Sequence, residues 1–272
     1  MQARPDRRSR GARCRGGVPG LALALAFSAV PALADTDDEL SVTPYRPSVS
    51  TPAALSAPGW LEVEGGLQHN HVDHASRDSV PVTLKLAFTA DWGIRVGADA
   101  WARIRDDSRG QVSGYGDTGV VLKRRFAVDD ASAFGLEAGA LLPTSHHGVG
   151  IGSGKADYGV NAIYSTDFAS SWHTDLNLQP TRVGEIEPDT GRTLWLAAAS
   201  LSYAVDDKWT LIGEVSGSHR RGITNNSQLL LAASYNVSKQ LVLDAGAARN
   251  LLRGSPGWSA FTGFTWLAAR IF

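Results

Sequence analysis

The chain has one cysteine and one methionine in 272 residues, and both fall near its start, as Cys14 and Met1. Beyond residue 34 it therefore has no disulfide, no thiol nucleophile and no sulfur ligand for a metal. Neither sign of charge is in excess: 26 Lys and Arg stand against 27 Asp and Glu, which removes any general case for binding nucleic acid. Long hydrophobic runs are also missing after residue 34. A helix that crosses a bilayer needs about 20 apolar residues. If this chain spans a membrane it does so with strands, closed so that every backbone group is paired.

What is present begins with a leader. A basic region (Arg4, Arg7, Arg8, Arg10, Arg13, Arg15) runs into an apolar stretch, Val18 to Val30, and then into Ala32-Leu33-Ala34, a small-x-small pattern before acidic Asp35–Glu39. These features predict a cleaved signal peptide over residues 1–34. Cys14 precedes the apolar stretch, where a lipoprotein would need its cysteine after it. Arg7-Arg8 is a chance pair in an arginine-crowded leader. Cleavage leaves 238 of the 272 residues, enough for one large β domain.

From Trp60 onward apolar residues alternate with small or polar ones at a period of two, the mark of a two-faced strand. Phe134, Leu136, Ala138, Ala140 and Leu142 oppose Gly135, Glu137 and Gly139; Trp172, Thr174, Leu176 and Leu178 oppose His173, Asp175, Asn177 and Gln179. Short polar turns fall near Asp91, Asp129, Asp167, Asp206 and Lys239, at steps of 38, 38, 39 and 33 residues. Between them lie six connections read as longer loops, near His71–Ser79, Asp106–Gly114, Thr144–Lys155, Val183–Gly191, Arg220–Asn226 and Leu251–Gly257. The unit is a strand pair, and the count is twelve strands, with both chain ends on the short-turn side. Short periplasmic turns, long external loops and an even strand number describe an antiparallel up-and-down transmembrane β-barrel of the outer membrane.

The same period would suit a soluble sandwich or lipocalin-type barrel. Three features place lipid outside. Aromatics sit at strand ends (Trp92, Trp172, Trp209, Tyr158, Tyr164, Tyr203), as membrane girdles do. The opposite face carries charge in mid-strand, which a dry core would reject. The chain stops on Phe272, close to Phe264 and Trp266, as substrates of outer-membrane assembly machinery commonly end, although Arg270 departs from that pattern.

These residues resemble an outer-membrane family named for the MetA pathway of phenol degradation. The likeness runs through Arg46-Pro47, Pro58-Gly59-Trp60-Leu61-Glu62-Val63-Glu64-Gly65-Gly66, Gly114-Tyr115-Gly116-Asp117 with Lys123 and Phe126, Leu141-Leu142-Pro143-Thr144, and Trp209, Glu214, Tyr235 and Leu243-Asp244-Ala245-Gly246. The expected glycine after Leu-Pro is absent. The resemblance implies a porin-like transporter for small solutes, hydrophobic or aromatic compounds among them.

Candidate site residues follow from the polar face. Arg95, Asp99, Arg103, Lys123, Arg125, Glu137, Asp157, Asn161, Asp175 and Glu214 are expected to line the lumen, either selecting solutes by their field or pairing across a narrow barrel and filling it. His69, His71 and His74 are metal-like in type, but the sequence favours a wet histidine-rich loop over a metal site. The glycine-rich stretch Thr144–Lys155 lacks the spacing of a phosphate loop and reads as a mobile constriction. Ser170, Ser171, His173, Ser216, Ser218 and His219 are the raw material for a lipid-modifying enzyme, without a nucleophile elbow. No cofactor and no catalytic group is implied. Residues 35–58 carry four prolines and no alternation; they either hang in the periplasm or fold into the lumen as a plug. The reading is a channel for small solutes surrounded by membrane lipid, with a structural or adhesive barrel as the alternative and an enzyme as the remote one. Oligomeric state and substrate stay open.

Overall fold

The computed structural model describes residues 40–107, 110–145, 151–185, 188–252 and 257–272. The leader read over 1–34 lies outside the described residues. Among the described residues thirteen strands follow one another: β1 (Trp60–Val72), β2 (Ala75–Ala87), β3 (Trp92–Asp106), β4 (Gly110–Gly114), β5 (Thr118–Ala127), β6 (Ser132–Leu142), β7 (Asp157–Phe168), β8 (Trp172–Arg182), β9 (Thr193–Ala204), β10 (Trp209–Arg220), β11 (Asn226–Ser238), β12 (Leu241–Asn250) and β13 (Gly257–Arg270). From β5 on, each pairs antiparallel with the next, and β13 pairs antiparallel with β1, which closes the sheet.

The barrel has twelve staves. β4 and β5 both pair with β3, and Ala102↔Gly114 and Gly97↔Gly119 belong to one continuous register. They form a single stave interrupted at Tyr115-Gly116-Asp117. The interruption has a local cause. The Gly116 N–H still reaches the Asp99 carbonyl at 2.8 Å, and a Cβ on Gly116 would come within 3.0 Å of the Asp99 Cβ. Asp117 turns away to anchor the following loop, accepting from the backbone N–H of Ser145 (3.0 Å) and of Ser153 (3.1 Å). The Gly-x-Gly-Asp motif thus breaks one stave to fasten the β6–β7 loop.

The alternation sorts the faces as expected for a barrel in lipid. Leu136, Leu176, Leu211, Leu231 and Leu243 point outward and are exposed. Glu62, Lys85, Lys123, Glu137, Glu214 and Asp244 point inward and are buried. Aromatic girdles mark both rims. On the short-turn side the Trp172 ring lies tilted against Tyr203 at 4.6 Å and the Trp209 ring against Tyr235 at 4.8 Å. Tyr158, Trp195 and Trp258 stand exposed at the opposite ends of their strands.

Two connections differ from the reading. The segments taken as loops near His71–Ser79 and Asp106–Gly114 are mostly strand. β1 and β2 meet through Asp73-His74 alone, with Asp73 in the left-handed region at φ 46°, where Asp is tolerated better than most residues. Polar side chains on both faces hid these extensions, because strands that rise above lipid no longer need one apolar face.

Candidate functional site

The lumen is occupied by the chain's own N-terminal segment. It starts at the short-turn rim, where the Val42 N–H donates to the Lys239 carbonyl at 2.9 Å, and returns to that rim at Gly59, whose N–H donates to Ala87 at 2.9 Å. In between it sweeps round the inside of the wall. Thr43 Oγ1 closes the loop by donating to the Leu55 carbonyl at 3.0 Å.

The wall holds this loop chiefly by its main chain. Glu62 accepts from the Thr43 N–H (3.0 Å) and Glu64 from the Tyr45 N–H (2.7 Å). Glu214 accepts from Val49 N–H (3.1 Å), Ser50 N–H (2.8 Å) and Ser50 Oγ (2.7 Å). Asn177 Oδ1 accepts from the Thr51 N–H at 3.1 Å, and Ser165 Oγ from the Ala53 N–H at 2.7 Å. Hydrogen bonds to carboxylates are stronger than neutral ones, and here they satisfy backbone donors that would otherwise be buried without partners.

Two side chains of the loop add specific contacts. Arg46 meets Asp244 through Nε and Nη2, both at 3.1 Å. Its guanidinium lies over Gly66 and Gly263, where a Cβ would approach it to 2.9 Å and 2.5 Å; side chains at those two inward positions would evict it. Tyr45 is flanked by two ammonium groups, Lys85 at 4.0 Å and Lys123 at 4.2 Å from its ring centre. Its hydroxyl donates to the Ala54 carbonyl and accepts from Lys123. Lys123 also donates to the Pro52 carbonyl, and Lys85 to the Thr43 carbonyl at 2.6 Å.

Several of the inward charges are paired with one another or with polar neighbours. Lys85 bridges Glu62 (2.5 Å) and Glu64 (2.6 Å). Glu137 meets Arg95 at 3.1 Å and Lys123 at 3.5 Å, and accepts from Asn161 at 3.1 Å. Asp99 meets Arg77 at 2.6 Å. Asp175 accepts from Ser165 at 2.5 Å and lies 3.0 Å from His173. Asp157 sits higher and accepts from the Gly184 N–H at 2.8 Å. Arg125 lies near the short-turn rim, with its own N–H on Asp91. Nine of the ten residues expected in the lumen thus lie on the inward face, and Glu137 brings Arg95, Lys123 and Asn161 together.

Arg103 does not belong with them. A β-bulge pairs Val80 with Trp101 but Pro81 with Asp99, leaving Ala100 as the extra residue and reversing the faces beyond it. Pro81 has no N–H to give the ladder, which is why the bulge falls there. Ala102 turns inward and is fully buried, while Trp101 is exposed on the outer wall. Arg103 accordingly meets Asp78, which shares the outer face with His69.

The remaining candidates are dispersed. His69 Nδ1 is 2.7 Å from Asp78, His71 lies beside the Trp258 ring, and His74 is 3.5 Å from Asp107. Among the described residues no three metal-type ligands converge. His173 sits between Asp167 and Asp175, and His219 bonds Asn225; neither ring meets a serine among the described residues. Part of the glycine-rich stretch, residues 146–150, lies outside the described residues.

Open space remains on both sides of the loop. A cavity of about 700 Å³ opens at the short-turn rim among Thr43, Arg46, His173, Thr210 and Lys239. A smaller one of about 150 Å³ lies beyond the loop, lined by Arg95, Glu137, Asp157, Asn161 and Gln179.

A barrel of twelve staves, occupied at mid-height and hollow at both ends, has counterparts among solved structures. In fold the chain is similar to outer-membrane channels. An outer membrane channel from Pseudomonas putida F1 matches at a TM-score of 0.66 with 14% identity, over 79% of this chain and 97% of that one. The KdgM porin in complex with disordered oligogalacturonate matches at 0.53 with 11% identity, over 76% and 99%. The CymD monoaromatic hydrocarbon channel matches at 0.51 with 9% identity, over 79% and 90%. At these identities the likeness is one of fold. No protein-family model and no curated protein sequence matches the chain.

Proposed function

We propose that the chain is an outer-membrane channel for small solutes, closed at rest by its own N-terminal segment. The leader over residues 1–34 directs export, residues 35–58 supply the plug, and the barrel from residue 59 onward provides the route through surrounding membrane lipid. The observation that carries this reading is the hold on the loop: it enters and leaves on one side, and the wall grips its backbone between two cavities. A loop fastened by hydrogen bonds and one ion pair, rather than fused into the sheet, is able to leave without opening the barrel. Withdrawal would join the two cavities into one path lined by Arg95, Asp99, Lys123, Glu137, Asn161, Asp175 and Glu214. Opposed charges on that path would act on solutes by field and shape, with no covalent step. The family resemblance and the channels of similar fold support a solute of small size, aromatic compounds among them.

A second reading rests on the same filled lumen: a structural barrel whose plug never leaves. Single-channel recording separates the two. The native protein is expected to show rare, brief openings, and Arg46→Ala, which removes the Asp244 pair, is expected to lengthen them. Persistent silence from both proteins, each folded and heat-modifiable on gels, would establish the structural barrel instead.

A further inference from the structure

The bulge at Ala100 places two arginines where a lipid-facing wall has least use for them. Arg103 and Arg105 project outward from β3, about one crossing beyond Trp92 at the short-turn rim; a crossing takes about 9–11 residues. They therefore stand at the outer edge of the apolar band, just above exposed Trp101. Asp78 draws them together, accepting from Arg103 Nε (3.2 Å) and Nη2 (2.8 Å) and from Arg105 Nη1 (3.3 Å). His69 lies on the other side of Asp78. A guanidinium carries five N–H donors, so this arrangement orders both side chains while leaving each with donors to spare. They stay open to the surroundings, Arg103 at 31% and Arg105 at 46% of side-chain area. Directly below, a groove of about 430 Å³ runs down the outer wall among Leu67, Val80, Trp101 and Ala260.

We propose that this is a binding site for a phosphorylated glycolipid of the outer leaflet, the lipid A type, with a phosphate on Arg103 and Arg105 and an acyl chain in the groove. The inference rests on the outer-membrane placement proposed above. Charge complementarity selects the occupant. Two guanidiniums held side by side suit a phosphate, which they bind in a bidentate manner, and an apolar channel beneath them suits the chain attached to it. One carboxylate between two arginines and a histidine leaves the cluster cationic. Without an anion it would stand at the rim of an apolar band with part of its charge unanswered.

The other rim supplies an internal control. Arg124 also faces outward, packed over the rings of Trp92 (5.1 Å) and Phe126 (4.6 Å) at the short-turn side. It has a similar aromatic setting but belongs to the opposite leaflet.

The test uses the full barrel, stripped of lipid in detergent, and native mass spectrometry with purified bis-phosphorylated lipid A. The native protein is expected to retain one molecule per barrel. Arg103→Gln with Arg105→Gln is expected to weaken retention about tenfold or more, as loss of charge-assisted bonds implies, and Arg124→Gln is expected to leave it unchanged. Arg103→Lys with Arg105→Lys keeps the charge and is expected to restore part of the binding, which guards against a folding defect. Equal retention by the Gln pair and the native barrel would overturn the proposal. So would equal loss in Arg124→Gln, equal binding of dephosphorylated lipid A, or equal retention of phosphatidylglycerol. Membrane fractionation of the producing cells reports on the outer-membrane placement separately, whatever the lipid result.

Discussion

Removing the carboxylate of Glu214 is the most direct way to loosen the plug. Glu214 is 1% exposed and accepts three hydrogen bonds from Val49 and Ser50, with no ion pair to it among the described residues. Hydrogen bonds to a charged group contribute about 1.5–3 kcal/mol each, and a buried donor left unpaired costs about 1–3 kcal/mol. Three bonds sharing one carboxylate are not additive, and water entering from the 700 Å³ cavity near Ser50 would recover part of the loss. The expected net effect of Glu214→Ala is therefore about 3 kcal/mol on the plugged state, or roughly a hundredfold shift toward withdrawal. The readout is a thiol on the plug. The only native cysteine, Cys14, lies in the leader, so Ser56→Cys, at a buried position, introduces a single reporter of similar size. Its labelling by a membrane-impermeant maleimide is expected to accelerate by about two orders of magnitude in the Glu214→Ala background, in step with channel open probability. Unchanged labelling in a barrel that remains heat-modifiable would refute the reasoning, because it would mean that the backbone grip does not set the position of the loop.

Three further outcomes follow from the geometry. Deleting Ala100 removes the extra residue while leaving Asp99 opposite Pro81 and Trp101 opposite Val80, so Ala102 stays inward and Arg103 outward; assembly to the heat-modifiable folded form is expected, and failure to assemble would contradict the assigned register. Glu137→Gln strips the shared carboxylate from Arg95 and Lys123, so it is expected to destabilise the barrel by about 3 kcal/mol in urea unfolding, and adding Lys123→Met should recover part of that loss. Asp206, in the exposed β9–β10 turn, accepts from the N–H groups of Trp209 and Lys208, which hold its carboxyl below the ordinary 3.8. Because the folded value is the lower one, its contribution is complete above pH 3.8 and is lost as pH falls through the lowered value; the stability difference between native protein and Asp206→Asn should disappear on that acid side and persist at neutral pH.

Much of the barrel was legible because lipid outside and charge inside impose a period of two on every stave. The short turns around Asp91, Asp129 and Asp206 and the count of twelve staves follow from that. Errors arose where the constraint relaxes. The β1–β2 arm rises beyond the apolar band, so its polar residues looked like loop. The reversal at Ala100 is invisible to counting, although Pro81 on the facing strand was the available signal. The grip on the plug is hidden from sequence in another way: Glu214 falls within the expected lumen set, whereas Glu62 and Glu64 do not. Glu62, Glu64 and Glu214 bind main-chain N–H groups, which every residue type but proline presents, so no complementary motif exists elsewhere in the chain. The usable trace was a set of inward acids in excess of inward bases. Arg46 and Asp244 lay within the motifs that suggested the family, yet their pairing spans 198 positions and no local pattern connects them.

The grip on main-chain N–H groups has a consequence for how the plug is written. The wall needs a donor at Thr43, Tyr45, Val49, Ser50, Thr51 and Ala53, and the prolines of the loop avoid all of these, with Pro44, Pro47 and Pro52 between them and Pro58 beyond the last. The segment is specified by where proline is forbidden more than by which side chains are required. Between its fixed points at Tyr45 and Arg46 and its return to β1, it is free to change its letters while keeping its grammar, and the wall would accept another extended peptide that places its donors at the same intervals.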